Sequence, residues 1–284
     1  MAVALTGCGV APSPQQALSD SPGKTASAGS SRILVASDGE PYFSGTFEYD
    51  GGTGLVDQLD GESAMIVTEK AVFVETDFAV MGLEAGKARW LQYPPDDGAL
   101  QVFSPFAATP ADLFDMLAAA KEPTRAGSGE ERGEPVTRYW ATLDLAAFIA
   151  GLPPDDQTDL REFLAEIWPT ALRDGVPMDL ALDSKGRIRR VDLTFDEGEK
   201  FTVEFFDYGI DVRAAAPPLD EVITYAEYDK LIEKQMREEC EKRGIKLPRG
   251  QVHCGSCGGE VPSTEGGAEP KPSSSAGDPK ATTT

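Results

Sequence analysis

Alternation of apolar and polar side chains predicts most of the regular structure in this chain. In YFSGTFEYD (residues 42–50), Phe43, Gly45, Phe47 and Tyr49 fall on one side and polar residues on the other. A period of two residues is typical of a strand with one dry face. Similar patterns or short apolar runs predict strands in SAMIVTEKAVFVET, ARWLQY, TRYWATLDL, PMDLALD, RIRRVDLTFD and KFTVEFFDYGIDVR. The connections between them are short, so we expect an antiparallel sheet.

Helical spacing interrupts the strands in the middle of the chain. TPADLFDMLAAA has Thr109 as a candidate cap and Pro110 in its first turn. DDQTDLREFLAEIWP carries an apolar stripe made of Leu160, Phe163, Leu164, Ile167 and Trp168. We therefore predict an α+β fold, in which an antiparallel sheet carries two central helices on one face.

Both ends of the chain differ in composition from the middle. Residues 9–31 contain mainly Pro, Ser, Gly, Gln and Ala, and residues 248–284 mainly Gly, Ser, Thr, Pro and Lys. Such segments bury too little apolar surface to offset their chain entropy, so we expect both to be disordered. The folded domain is then expected at residues 32–224, followed by a charge-rich amphipathic helix at residues 225–247.

Cys8 ends a short apolar run, MAVALTGC, directly before the polar segment. This order resembles the lipobox of bacterial lipoproteins, whose cysteine carries diacylglycerol. Residues 1–7 are then the remnant of a signal, Cys8 the lipid anchor and residues 8–31 a disordered tether. Neither Lys nor Arg precedes Cys8, whereas a complete signal begins with a basic region. Either the translation start lies further upstream or this cysteine is an ordinary one.

Composition limits the classes of partner. The 284 residues include 40% apolar residues, enough for a core, and carry a net charge of −22. Such a charge repels phosphate backbones, so we predict a monomer that binds no nucleic acid. The sequence contains no uninterrupted apolar run of about 20 residues, the length that spans a bilayer. Contact with a membrane is therefore expected through the lipid anchor.

Three sequence stretches resemble a known family. They are GKARWLQY (residues 86–93), GVPMDLALDSKGRIRRVDLTF (residues 175–195) and FFDYGIDVRAAAPP (residues 205–218). Together with the order of the predicted elements, they are similar to the LolA-like lipoproteins of actinobacteria, of the LppX and LprG type. The resemblance covers about residues 33–224. It implies a half-open barrel whose strongly curved sheet wraps around helices and leaves an apolar cavity that binds or carries acyl lipids or lipoproteins.

The candidate ligand-binding residues are large apolar side chains of the predicted helices and strands. They are Phe73, Leu113, Met116, Leu117, Phe163, Leu164, Ile167, Trp168 and Phe205. The alternative is that these side chains fill one another's space as a closed core, since protein interiors rarely leave room. In that case the chain is a lipoprotein on the outer face of the cell membrane that recognises a protein partner.

Catalytic chemistry has little support in the sequence. His253 is the only histidine of the chain, and it falls in the C-terminal segment that we expect to be disordered. A nucleophile in the folded domain would therefore lack a histidine base. With 48 acidic residues, neighbouring carboxylates are inevitable and do not by themselves indicate an acid–base pair. We predict that the chain is not an enzyme and needs no cofactor.

Three cysteines remain beside Cys8. Cys240 lies in the predicted C-terminal helix, and Cys254 and Cys257 follow in HCGSCGG. With His253 they offer a donor set for zinc, although a second paired half is missing. Outside the cell thiols oxidise, which favours a disulfide among Cys240, Cys254 and Cys257. An idle or reactive thiol is the third possibility, and the pairing stays open.

Overall fold

The computed structural model describes residues 12–58, 64–94, 109–152 and 154–243. The chain divides into two compact units, Met1–Tyr228 and Asp229–Thr284. Cys8, His253, Cys254, Cys257 and the predicted C-terminal tail lie outside the described residues. The described part of the chain contains no helix with the length and apolarity needed to cross a bilayer.

The described residues of the first unit form one sheet of twelve strands. These are β1 (Ser30–Ser37), β2 (Glu40–Glu48), β3 (Thr53–Gln58), β4 (Ala64–Thr68), β5 (Ala71–Glu75), β6 (Trp90–Tyr93), β7 (Ala120–Glu131), β8 (Glu134–Leu143), β9 (Val176–Asp183), β10 (Ile188–Thr194), β11 (Lys200–Phe206) and β12 (Val222–Thr224). Their order is β12-β6-β5-β4-β3-β2-β1-β11-β10-β9-β8-β7. The sheet is curved and not closed, as predicted.

All neighbouring strands are antiparallel except β12 and β6, which run parallel. The two ends of the sheet differ in length. β12 has three residues, whereas β7 has twelve and shifts its register against β8 twice. In the centre, Ile33 of β1 lies opposite Phe205 of β11 and Gly45 of β2. The first strand thus joins the two halves of the sheet.

Strand β3 follows two glycines and itself contains Gly54, in the stretch GGTGLVDQ (residues 51–58). Gly54 pairs with Phe47 of β2, and the ring of Phe47 fills the space above the glycine. A Cβ built at Gly54 would lie 2.5 Å from that ring. The glycine is therefore needed for packing within the strand rather than for a turn.

The helices are α1 (Pro14–Ala26), α2 (Pro110–Ala118), α3 (Leu145–Ala150), α4 (Pro154–Ile167), α5 (Pro169–Asp174) and α6 (Tyr225–Lys242). The predicted start of α2 is confirmed, because Thr109 and Asp112 form a reciprocal capping box. Residues of α1 to α5 pack into the core on one face of the sheet. Five helices therefore lie there in the described part of the chain, where two were predicted.

The prediction of a disordered tether over residues 8–31 is wrong for residues 14–26, which form a helix, and for residues 30 and 31, which begin β1. Residues 14–26 form α1, which Ser13 caps by accepting a hydrogen bond from the Gln16 N–H at 3.2 Å. Ala17 and Leu18 are buried in the main core. Thr25 Oγ1 donates to the Ser21 carbonyl at 2.7 Å and accepts from the Ile188 N–H at 2.9 Å. Small side chains suffice here because the helix packs closely on the sheet, a tertiary contact that composition does not reveal.

Where the first unit is described, its interior contains two apolar clusters. The large one combines the inner face of the sheet with the five helices and includes Phe47, Leu113 and Phe205. The small one consists of Ile66, Ala71 and Phe73, with partly buried residues packed against it. Because neighbouring side chains on a strand point to opposite faces, Val72 belongs to the first cluster and Phe73 to the second.

In the second unit the described residues belong to the later turns of α6. Ion pairs at helical spacing follow its surface, for example Arg237–Glu233 at 3.2 Å and Arg243–Glu239 at 3.3 Å. Cys240 is buried. The predicted helix over residues 225–247 is confirmed as far as Lys242. Since Cys254 and Cys257 are outside the described residues, the disulfide stays a prediction.

Candidate functional site

The structure places most of the predicted ligand-binding residues in the large apolar cluster. Leu113, Met116, Leu117, Leu164 and Phe205 are buried there with at most 2% of their surface exposed. The Phe114 ring lies 5.9 Å from the Phe205 ring and 5.7 Å from the Tyr49 ring. In the structure these side chains contact one another, as the closed-core alternative requires.

Phe73 does not join them. It lies in the small cluster beside Ile66, on the other face of the sheet. Pairing of Phe73 with Ile66 and Gln92 across the neighbouring strands fixes this orientation. An apolar run such as AVFVET does not reveal which of its residues face the helices, because both faces of this part of the sheet are covered.

Two of the five residues in the apolar stripe along α4 are exposed. Leu164 is fully buried, and Leu160 and Trp168 pack partly against the core. Phe163 and Ile167, four residues apart, remain 47% and 38% exposed. Residues at this spacing lie next to each other on a helix surface. The helix therefore presents an apolar pair to solvent directly beside its buried side.

Ile167 of this apolar pair lines an open cleft between α4, α5 and the ends of the sheet strands. The cleft has a volume of about 940 Å³. We call it the α4–α5 cleft, lined by Thr142, Glu166, Ile167, Trp168, Pro169, Thr170, Ala171, Asp174, Gly175, Pro177, Thr194, Phe195, Asp196, Gly198 and Glu199. Trp168 stacks on Phe195 with ring centres 4.4 Å apart and donates its indole N–H to Glu199 at 3.3 Å. The wall of the cleft is thus aromatic and its rim acidic.

Asp196 fixes one side of the α4–α5 cleft. Helix α5 starts at Pro169 with no side-chain cap from Trp168. Instead, the Asp196 carboxylate accepts hydrogen bonds from the Thr170 and Ala171 N–H groups at 2.9 and 2.8 Å. Desolvation raises the pKa of Asp196, but these hydrogen bonds outweigh it, and the pKa lies below its ordinary value.

Replacing Asp196 by alanine is expected to lower the free energy of unfolding by about 1 kcal/mol at pH 7, as for other lost helix caps. Because the folded-state pKa is depressed, this stabilisation is present above the ordinary pKa of about 3.9 and is lost as the pH falls through the folded value. Urea unfolding of both proteins between pH 3 and pH 7 measures the effect. A difference that stays constant over this range would contradict it.

The described residues contain no group of three or more His, Cys, Asp or Glu side chains placed to hold a metal ion. Three of the four acidic residues at the α4–α5 cleft are engaged, Glu199 by an indole N–H, Asp196 by backbone N–H groups and Asp174 by Arg173 at 2.7 Å. Glu166 has no such role and is exposed on α4. The arrangement is suited to binding an apolar group beside an acidic rim. The absence of enzymatic activity stays a prediction.

Sequence reasoning found Ile167 and Trp168 but missed Phe195, the third apolar member of this cleft. Phe195 ends the stretch RIRRVDLTF, which had been assigned to the sheet alone. The signal that could have found it is the turn at Asp196–Gly198. Because Phe195 directly precedes this turn, its side chain lies at the end of the sheet.

Comparison with known proteins gives similar solved structures at low sequence identity. No family model and no curated protein matches this sequence. LprF from Mycobacterium bovis has 16% identity and a TM-score of 0.46, over 73% of this chain and 98% of that chain. Lipoprotein LppX from Mycobacterium tuberculosis has 10% identity and a TM-score of 0.45, over 70% and 98%.

A LolA superfamily protein from Nitrosomonas europaea is also similar, with 9% identity and a TM-score of 0.28, over 73% of this chain and 96% of that chain.

Proposed function

We propose that this chain is a non-enzymatic lipoprotein that is anchored through Cys8 to the outer face of the cell membrane and binds an acyl lipid. The observation that supports it is the exposed apolar pair Phe163 and Ile167 on α4, of which Ile167 lines the α4–α5 cleft. Large apolar side chains exposed next to each other commonly mark a binding surface. The cleft is also within the usual size of ligand sites, about 300–1,000 Å³.

The path for an acyl chain leads from this cleft under α4. In this helix Leu164 is the fully buried apolar side chain, and Leu160 is partly buried. Exposing one leucine costs about 1.5–3 kcal/mol, whereas each buried CH₂ group of a lipid returns about 0.8 kcal/mol. An acyl chain of ordinary length therefore offsets the cost of displacing α4. The buried residues Leu113, Met116, Leu117 and Phe205 then form the apolar surface that the chain contacts.

Native mass spectrometry of the protein, purified in mild detergent from its own cell envelope, tests the proposal. We expect a population whose mass exceeds that of the anchored protein by one acyl lipid, and extraction should identify that lipid. Protein without any lipid apart from its anchor would contradict the proposal.

A charge at the mouth of the cleft should weaken lipid binding. We expect Ile167→Asp to reduce the affinity for cis-parinaric acid, a fluorescent fatty acid, at least tenfold, because a carboxylate there must be desolvated beside the acyl chain. Ala165→Asp is the matched control, since it adds the same charge at an exposed position of the same helix. Equal affinities of the two variants would show that this end of α4 does not take part.

Recognition of a protein partner is the second candidate function. It is favoured by the complete burial of Leu113, Met116 and Phe205, which contact one another as a filled core does. In that case the apolar pair on α4 contacts the partner rather than a lipid. Lipid-free protein in the mass spectrum, together with a partner cross-linked to a photoreactive residue at position 163, would support this second function.

A further inference from the structure

Arg189 is a buried cation for which the described residues supply no carboxylate. It is 8% exposed and its Nε has no hydrogen-bond partner. The strand register explains its position, because β10 shifts against β9 between Ile188 and Arg190 and Arg189 is the extra residue of this bulge. A bulge redirects a side chain and is common next to functional sites. A buried charge without a partner is costly, so this position calls for a counter-ion.

The neighbouring arginines do have carboxylate partners. Arg187 pairs with Asp183 at 2.7 Å, Arg190 with Asp192 at 2.8 Å and Arg138 with Asp179 at 3.6 Å. The Arg-rich strand is therefore mostly explained by ion pairs within the sheet. Arg189 differs from the others both in its burial and in its missing carboxylate.

Arg189 lines a second open cleft, with a volume of about 650 Å³, which we call the arginine cleft. It is lined by Arg132, Glu134, Asp183, Ser184, Lys185, Arg187, Arg189, Phe206, Asp207 and Tyr208. Four of these residues are cationic, in a chain whose net charge is −22. Lys185 is exposed in the β9–β10 turn. The cleft thus concentrates positive charge where the chain as a whole is acidic.

Tyr208 holds the two inner guanidinium groups in place. Its hydroxyl donates to the Ile188 carbonyl at the bulge. The guanidinium carbons of Arg187 and Arg189 lie 4.2 and 5.7 Å from its ring centre. Burial raises the pKa of Tyr208, so the hydroxyl stays protonated and keeps this hydrogen bond. The guanidinium groups of Arg187 and Arg189 therefore both lie against the fixed ring of Tyr208.

The carboxylates of the arginine cleft do not neutralise Arg189. Asp183 is engaged by Arg187 and by the backbone N–H groups of Lys185 and Arg187, both at 2.9 Å. Asp207 lies 3.5 Å from Arg32. Glu134 is exposed at the edge of the cleft. An anion in the cleft would meet Arg189 and Lys185 without displacing the Arg187–Asp183 pair.

We infer that the arginine cleft binds an anion that carries a phosphate or carboxylate group, with Arg189 as its central partner. A guanidinium offers planar paired donors that match either group, and such charge-assisted bonds are about twice as strong as neutral ones. The anion is either free in solution or the headgroup of a lipid. The inference concerns a different surface from the α4–α5 cleft and does not depend on the proposed function.

Calorimetric titration of the full chain with inorganic phosphate is the first test. We expect Arg189→Met to weaken phosphate binding at least tenfold, as the loss of a charged hydrogen-bond partner does. Arg173→Gln is the control, because Arg173 is an exposed arginine that already pairs with Asp174. Since Arg189→Met removes an uncompensated buried charge, its melting temperature without phosphate should equal or exceed that of the wild type. Lys185→Gln, on the exposed turn, should weaken binding to a smaller extent.

Vesicle flotation separates the two sources of the anion. The full chain is mixed with phosphatidylcholine vesicles or with vesicles that also contain phosphatidylglycerol, so that any lipid anchor contributes equally to both. Phosphate binding that Arg189→Met abolishes supports a free anion. Extra flotation with phosphatidylglycerol that the same variant abolishes supports a headgroup. If neither phosphate nor phosphatidylglycerol distinguishes the wild type from Arg189→Met, the inference is overturned.

Discussion

Replacing Phe205 by alanine is expected to lower the free energy of unfolding by about 3–5 kcal/mol, the range for large aromatic residues deleted from a core. Phe205 of β11 has no exposed surface. It lies opposite Ile33 of β1, and its ring is next to the Phe114 ring of α2. The substitution thus leaves a void where the two halves of the sheet meet the helices. Urea unfolding followed by circular dichroism measures the loss.

Phe163→Ala is the matched control for this prediction. The same atoms are removed, but from a side chain that is 47% exposed on α4. We expect a loss of less than about 1 kcal/mol, as for most surface substitutions. The pair also bears on the function, because Phe205 lies in the interior that a lipid would have to enter. A small effect of Phe205→Ala would mean that this interior is loosely packed, which the closed-core alternative does not allow.

Replacing Leu18 by aspartate is expected to destabilise the first unit by about 3 kcal/mol or more, because the change removes a buried leucine and leaves an unpaired charge in the core. Leu18 lies in α1 and is 3% exposed. We expect α1 to detach from the sheet before the remaining structure unfolds. Hydrogen exchange of residues 14–26, together with urea unfolding, follows both events.

Ser19→Asp adds the same carboxylate one residue later, at an exposed position of α1. It should leave the free energy of unfolding within about 0.5 kcal/mol of the wild type. Equal losses for the two variants would place Leu18 outside the core and restore the flexible tether that composition predicts. The comparison therefore tests the largest difference between the expected and the observed fold.

The predictable part of the fold is the part with strong patterning. β2, β8 and the β9–β10–β11 hairpins follow from alternation and turn glycines such as Gly186 and Gly198. α2 follows from its capping residues. In contrast, α1 contains the apolar residues Ala17, Leu18 and Ala26 among Ser, Gln and Pro, and its stability depends on Thr25 and Ile188, residues far apart in sequence. No local pattern encodes such a contact.

The candidate sites show the same division. The apolar stripe of α4 was visible as spacing, but the exposure of Phe163 and the burial of Leu164 depend on how α4 packs. The arginine cleft was not predicted at all. In the sequence RIRRV, Arg189 looks like the neighbouring arginines. Its different orientation results from the bulge between Ile188 and Arg190. Strand register, which decides where each side chain points, is fixed by pairing partners and not by the strand itself.

The uneven β7 strand has a consequence for molecules that stand close together. A sheet that ends in a long, regular strand offers free N–H and C=O groups to the sheet of another molecule. β7 interrupts that row with Pro123, with Glu122 and Gly127 at positive φ, and with its two shifts against β8. At the other end, β12 offers only three residues. Copies held close together on one surface would therefore resist pairing edge to edge into a continuous intermolecular sheet.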